Sequence, residues 1–404
     1  MPTPADIITV ASGAVPIYGG RAAPLAGRTG DVVLAGDSLT GLAYASGGYR
    51  LGLPLTLYPP RVIYNAGIPN DTIKNLVDRF DADVIAKGAP TAIVRIGTNG
   101  AGAGTYQDQF NALFAKLQAA NMFGIFMAIP PKNVGTPGVP SGFVAQNAWI
   151  KAACEAAPTR LAFIQDSLAL GDADYNVISS YYIDNIHMNG KGVVAQGDAM
   201  APFMSAIFAP VETRNLSATD SYAQNAASNQ YVNNGQMSGG TTLATGWTLS
   251  PYGTAPGTAS KVAADAGDPV QTPWQRIEYT GSGGNTHALS LRSTMTHPAI
   301  DASVKRFDIV AEVRFNSLDT TLVNNFALSI DAGSNAIAGC NIPIQGNGLF
   351  TRRVVMRDAL SRNTGNAYAA NTLRVNLALS FTNTFSGSIG SIDIRCVSVR
   401  GSTT

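Results

Sequence analysis

Apolar positions follow two regimes along the chain. Between residues 32 and 164 they come in short continuous runs: Val32-Val33-Leu34-Ala35, Val62-Ile63-Tyr64, Ala92-Ile93-Val94-Arg95-Ile96, Gly124-Ile125-Phe126-Met127-Ala128-Ile129 and Leu161-Ala162-Phe163-Ile164. Runs of this length without alternation suit strands covered on both faces, as in a parallel sheet. Helical periodicity falls between them. Phe110, Leu113, Phe114 and Leu117 stand at i, i+3, i+4 and i+7 and form one helix face. Segments 72–86 and 141–157 also predict helices. A last helix is expected from near Gly190, carrying Val193, Val194, Met200, Phe203, Met204 and Ile207. The alternation predicts a three-layer α/β domain over residues 31–210, with right-handed crossovers, preceded by an extension over 1–30. Within that extension Ile7-Ile8-Thr9-Val10 reads as an added strand or interface segment.

After Pro210 the period changes. Residues 211–229 are polar and read as a linker. Over 230–404 apolar and polar residues alternate: Leu373, Val375, Leu377, Leu379 and Phe381 are separated by Arg374, Asn376, Ala378 and Ser380. Phe326, Leu328 and Ile330 alternate likewise, as do Ile309, Ala311, Val313 and Phe315, and Ile392, Ile394 and Cys396 share one face. Half-buried antiparallel strands give this signature, and many of them joined by Gly, Asn, Ser and Thr predict a β-sandwich of jelly-roll type.

Composition narrows the function classes. The 27 basic and 26 acidic residues leave a net charge of +1. No basic block stands out, which argues against a nucleic-acid partner. No apolar run reaches the roughly 18–20 residues that span a bilayer, so no membrane partner is expected. No secretory signal is read in the first 30 residues. Three cysteines at wide spacing argue against a disulfide framework and a structural zinc site, although Cys340 and Cys396 remain open as a pair. No metal or cofactor is expected.

The chemistry concentrates at strand ends. Gly36-Asp37-Ser38-Leu39-Thr40 follows the first buried run, where an α/β sheet carries its reactive loops. A serine there is more often a helix N-cap than a nucleophile. Three further segments change that balance. Asn65-Ala66-Gly67 and Gly97-Thr98-Asn99 follow the second and third runs, and Asp184-Asn185-Ile186-His187 precedes the expected last helix. The topology brings all four to one edge of the sheet. Together they supply a nucleophile, a base, an orienting acid and oxyanion donors. Of three histidines only His187 lies in the α/β half; His287 and His297 read as surface residues of the sandwich. Asp37 reads as fixing the turn before Ser38, and Asp172 and Asp174 as a solvated loop.

These four blocks, in this order, resemble the SGNH/GDSL hydrolase superfamily over residues 30–208. One departure is visible: the family often has Asp where this chain has Gly100. The resemblance implies a flavodoxin-like three-layer domain with Ser38 as nucleophile, His187 as general base and Asp184 as its orienting acid. The backbone N–H groups of Ser38 and Gly67 and the Asn99 amide are then the oxyanion hole.

In the second domain an early Asn234-Gly235, Gly246-Trp247 and the strand-like run after Trp274 are similar to jelly-roll carbohydrate-binding modules. Core burial is the commoner fate of such tryptophans. Exposed, Trp247 and Trp274 would stack on sugar rings. A hydrolase joined to such a sandwich resembles polysaccharide O-acetyl esterases and the tail-fibre deacetylases of bacteriophages. The latter resemblance implies a homotrimer, attached to the virion and acting outside the cell. The expected activity is removal of acetyl groups from an acetylated polysaccharide. The rivals are a lipase or thioesterase of the same superfamily, and a carbohydrate-binding virion protein without catalysis.

Overall fold

The five continuous runs become five parallel strands, because each must bury both of its faces. A computed structural model of the chain describes residues 17–18, 32–41, 63–132, 143–165, 171, 176–182, 184–188, 192, 195–196, 231–232, 234–252, 257–268, 271–283, 288–297, 304, 306–319, 321–332, 335–343, 349–361, 371–381 and 385–402. The chain divides into two units, Met1–Val211 and Glu212–Thr404.

In the first unit the strands are β1 (Ile17–Tyr18), β2 (Val32–Gly36), β3 (Ile63–Gly67), β4 (Thr91–Arg95), β5 (Phe123–Met127) and β6 (Leu161–Ile164). The helices are α1 (Ser38–Gly41), α2 (Ile73–Asp83), α3 (Tyr106–Ala119) and α4 (Phe143–Ala156). The sheet order is β1-β6-β5-β4-β2-β3. All neighbours are parallel except β1, which pairs antiparallel with β6. The five parallel strands thus follow the flavodoxin-like order, with β2 between β3 and β4. The connections leave β2 in opposite directions, and that switch point opens a crevice at the carboxyl ends of β2 and β4.

The two sheet faces are covered independently. Val33, Ala35, Ala92, Val94 and Phe126 pack with Leu76 and Phe80 of α2, Phe110, Leu113 and Leu117 of α3, and Ile150 of α4. Phe114 meets Phe126 edge-on at 4.9 Å and stacks on Trp149 at 6.0 Å. The opposite-phase residues Leu34, Ile93, Ile125 and Ala162 are equally inaccessible. The sheet is therefore the middle of three layers. Thr105 caps α3: its hydroxyl accepts from Asp108 N–H at 3.1 Å, and the Asp108 carboxylate accepts from Thr105 N–H at 2.9 Å.

The second unit is all-β. Its strands are β7 (Trp247–Tyr252), β8 (Thr258–Val262), β9 (Trp274–Tyr279), β10 (Ser282–Gly283), β11 (Ala288–His297), β12 (Arg306–Asp319), β13 (Val323–Ala332), β14 (Asn335–Pro343), β15 (Leu349–Ser361), β16 (Asn371–Phe381), β17 (Phe385–Ser386) and β18 (Gly390–Ser402). They form two five-stranded antiparallel sheets, β14-β13-β16-β11-β7 and β15-β12-β18-β9-β8, with β10 and β17 as a separate pair. From β11 onward most connections cross between the two sheets, the exception being the hairpin β13–β14 within one of them. Across the interior Phe315 meets Phe326 edge-on at 5.8 Å, and Tyr279 meets Phe381 at 5.7 Å.

The row Ile392, Ile394, Cys396 ends in a β-bulge. The pairing of β12 with β18 shifts between Val310 and Glu312, and Cys396 takes a positive φ of 53°. This bulge moves the alternation by one residue, so that Ile309 stands opposite Val399.

Several expectations lie outside the described residues: Ile7–Val10, Asp172, Asp174, residues 211–229, His287, and all of the last helix except residues 192, 195 and 196. His297 lies on β11, paired with Asn371. Among the described residues no helix is long and apolar enough to cross a membrane.

Candidate active site

Ser38 opens α1 directly at the end of β2, because the strand stops at Gly36 and Asp37 makes the turn. Asp37 Oδ1 accepts from Leu39 N–H at 3.0 Å, and its carbonyl accepts from Thr40 and Gly41 N–H at 3.1 and 2.9 Å. The turn lies tightly on the end of β3. A Cβ on Gly41 would stand 2.2 Å from the Gly67 carbonyl oxygen, and one on Gly67 would stand 2.3 Å from the Gly41 nitrogen. Only two glycines permit that approach. Asn65 stitches the same contact, donating from Nδ2 to Thr40 O at 3.0 Å.

The residues 149 positions apart in sequence meet here. His187 Nε2 lies 3.1 Å from Ser38 Oγ, and His187 Nδ1 lies 2.8 Å from Asp184 Oδ2. The second Asp184 oxygen accepts the backbone N–H groups of Ile186 and His187 at 2.7 and 2.6 Å. That turn fixes the carboxylate against its own histidine. Partial burial pushes the Asp184 pKa up, but the hydrogen bonds from the His187 ring, His187 N–H and Ile186 N–H outweigh it and hold the carboxyl below its ordinary value. The loop is pinned by a bridge between Tyr182 and Met188, both buried.

The oxyanion donors require one correction. Gly67 N–H already donates to Asn65 Oδ1 at 2.9 Å, so its single hydrogen is engaged within its own turn. Ser38 N–H, at the first helical position, has no intrahelical acceptor. Asn99 Nδ2 gives one hydrogen to Asp71 O at 3.1 Å and retains a second. Gly100, which follows Asn99, has φ 93°. Its carbonyl accepts Ile73 N–H at 3.2 Å, which docks the Asn99 loop on the first turn of α2. Lys132 Nζ donates to Thr98 O at 3.0 Å from the other side.

Asp37 is buried, and burial pushes its carboxyl up to about 6, against opposing contributions from Leu39 N–H, Arg95 and His187. The folded pKa exceeds the unfolded one, so the folded state binds more protons between the two values, and stability falls as pH rises through that window. The difference in unfolding free energy between wild type and Asp37→Asn is therefore expected to drop by about 2 kcal/mol between pH 4 and pH 7.5. Denaturant titrations of both proteins across that range measure it; a pH-independent difference contradicts it.

Trp247 and Trp274 are not sugar-stacking platforms. Trp247 is buried and donates from Nε1 to Asn234 O at 3.0 Å. Trp274 is fully buried between two guanidinium groups, Arg314 at 4.6 Å and Arg395 at 4.0 Å from its ring centre. Both rings belong to the packing of the sandwich, so neither offers a face to a ligand. Among the described residues no group of three or more His, Cys, Asp or Glu is placed to hold a metal ion.

The structure brings Ser38, Asp184 and His187 together, and Asn65, Arg79 and Lys132, which the sequence does not single out, shape the cluster. Asn65 lay within a recognised block; Lys132 and, in two of its four bonds, Arg79 reach backbone carbonyls up to 43 residues away, which leave no local signal.

No protein-family model matches the chain, and no curated protein matches it. Among solved structures it is similar to Axe2, an acetylxylan esterase from Geobacillus stearothermophilus, at 19% identity over 47% of this chain and 100% of that one, with a TM-score of 0.35. The lipase/acylhydrolase from Enterococcus faecalis matches at 15% identity over 45% and 99%, with a TM-score of 0.34. A protein assigned to the lipolytic G-D-S-L family from Desulfitobacterium hafniense matches at 19% identity over 44% and 98%, also with a TM-score of 0.34.

Proposed function

We propose that this chain is a serine ester hydrolase of SGNH type that removes acetyl groups from a polysaccharide. The observation that carries the reading is the continuous hydrogen-bonded line from Ser38 Oγ through the His187 ring to Asp184 Oδ2, at 3.1 and 2.8 Å. In this reading Ser38 Oγ attacks the ester carbonyl while His187 Nε2 takes its proton. The tetrahedral oxyanion is stabilised by Ser38 N–H and the second hydrogen of the Asn99 amide. Collapse expels the sugar hydroxyl, which takes the proton back from His187. Water then enters by the same route and releases acetate. Asp184 holds Nδ1–H and stabilises the imidazolium in both halves.

The acetyl and saccharide parts of the proposal rest on the rim. Among the described residues of these loops, Asn70, Asn99, Asp184 and Asn185 are exposed, and Ile68 is the one exposed large apolar side chain. Four polar groups to one apolar group suit a hydrated acyl sugar better than a lipid chain. Chromogenic esters of increasing acyl length test this. Acetyl is expected to turn over fastest, with kcat/KM falling by about tenfold or more by butanoyl, as a pocket of fixed size discriminates methylenes by about 1–3 kcal/mol. Faster hydrolysis of octanoyl than of acetyl would assign the chain to lipids instead. Release of acetate from an acetylated polysaccharide tests the polymer.

A further inference from the structure

We infer that Arg79 is a positioning residue of this hydrolytic site, tying the strand end that carries Ser38 to the β3–α2 loop on which Asn99 docks. The inference rests on the ester-hydrolase reading and extends it to a residue outside the four sequence blocks. Arg79 lies on α2, with its side chain mostly buried. Its guanidinium makes four hydrogen bonds in one plane of donors. Nη2 donates to Gly36 O at 3.1 Å, in the strand end two residues before Ser38. Nη1 donates to Ala66 O at 2.7 Å, the carbonyl of the peptide whose N–H belongs to Gly67. Nε donates to Asp71 Oδ2 at 2.7 Å, and the carbonyl of that same Asp71 accepts the Asn99 amide. Nη1 also meets Asp83 Oδ2 at 3.0 Å, on the more exposed side.

The geometry is specific to arginine. Lysine offers one rotatable point charge, whereas a planar fork holds several acceptors at fixed angles. Gly36 O in addition accepts Ile68 N–H at 3.0 Å, so the ends of β2 and β3 are joined at the point where Arg79 binds both. An ordinary helix-surface arginine pairs with carboxylates at i±4, as Arg79 does with Asp83. Two buried backbone carbonyls at the ends of β2 and β3, and a carboxylate in the loop that follows β3, exceed that role. A displacement of even 1 Å at an oxyanion donor costs rate without costing substrate affinity.

The test compares Arg79→Gln, Arg79→Lys and Asp83→Asn with wild type on a chromogenic acetyl ester, and follows labelling of Ser38 by a fluorophosphonate. Arg79→Gln is expected to lower kcat by about 10- to 100-fold with KM changed less than about threefold, within the range for loss of one oxyanion donor. Labelling slows in parallel. Arg79→Lys recovers part of the loss, and Asp83→Asn stays within about twofold of wild type. In an Asn99→Ala background the cost of Arg79→Gln is expected to shrink at least about threefold, because one of the two groups it positions is gone. Equal losses in both backgrounds would show a general packing role and overturn the inference, as would full kcat in folded Arg79→Gln. If Arg79→Gln does not fold, Arg79→Lys decides: wild-type kcat there overturns the inference. Hydrolysis and labelling that survive Ser38→Ala would instead overturn the ester-hydrolase reading, and the inference with it.

Discussion

Ser38→Ala is expected to reduce kcat on a small acetyl ester by at least about 10⁴-fold, with the fold intact. Removing one member of a triad that acts as a unit costs nearly as much as removing all of it. The Ser38 side chain makes one hydrogen bond among the described residues, to His187 Nε2 at 3.1 Å, and the turn around it is held by Asp37 and Asn65 instead. The substitution therefore deletes the nucleophile without loosening its seat. His187→Ala should fall equally far, since no second base stands within reach of Ser38 Oγ among the described contacts. Asp184→Asn is expected to lose less, up to about 10⁴-fold, because an amide can hold the imidazole in the wrong tautomer. Steady-state kinetics with circular dichroism on each variant measure this. Wild-type turnover in folded Ser38→Ala would remove the nucleophile from the assignment.

The parts of this site that could be read in the sequence are those fixed by local chemistry. Gly36-Asp37-Ser38 follows a continuous apolar run, and a run buried on both faces ends where an α/β sheet presents its loops. Five such runs gave five strands to within about three residues of the observed ends, a normal uncertainty for element boundaries. The flavodoxin-like order β3-β2-β4-β5-β6 came from resemblance, because periodicity says which residues are buried and not which strands are neighbours. Gly67 illustrates the limit. Its place in the Asn65-Ala66-Gly67 block was legible, but the turn by which Asn65 Oδ1 claims its N–H depends on side-chain direction. Trp247 and Trp274 illustrate another. A tryptophan reads alike whether its ring meets a sugar or the core: Trp247 is settled by burial against Asn234, and Trp274 by Arg314 and Arg395, 40 and 121 residues later.

Arg395→Ala is expected to destabilise the sandwich by about 3–5 kcal/mol, the cost of leaving buried carboxylates without their cation. Alternation along β18 makes Asp393 and Arg395 look like an exposed polar row between Ile392 and Ile394. Both are instead fully buried. Asp393 accepts from Arg276 Nε at 2.7 Å and from Arg314 Nη2 at 2.7 Å. Arg314 also grips both oxygens of Asp265, at 2.9 and 3.0 Å. Arg395 donates to Glu312 Oε2 at 3.0 Å, to Asp268 Oδ2 at 2.5 Å and to Thr272 O at 3.1 Å, while its guanidinium lies on Trp274. The segment carrying Asp265, Asp268 and Thr272 thus closes over a sheet face that the period-two pattern marks as solvated. Removing Arg395 takes away the cation shared by Glu312 and Asp268 and one of the two cations on the Trp274 ring. Arg395→Lys keeps the charge but cannot span both carboxylates, so it should fall between wild type and alanine. The chain has three tryptophans, and Trp149 lies in the α/β unit. In a Trp149→Phe background the fluorescence of Trp247 and Trp274 reports urea unfolding of the sandwich alone. A shift below about 1 kcal/mol for Arg395→Ala would mean that the two carboxylates are neutralised or hydrated once the cation is gone. A full shift, partly recovered when Glu312 is also replaced by Gln, would show that the unpaired charge carries the cost.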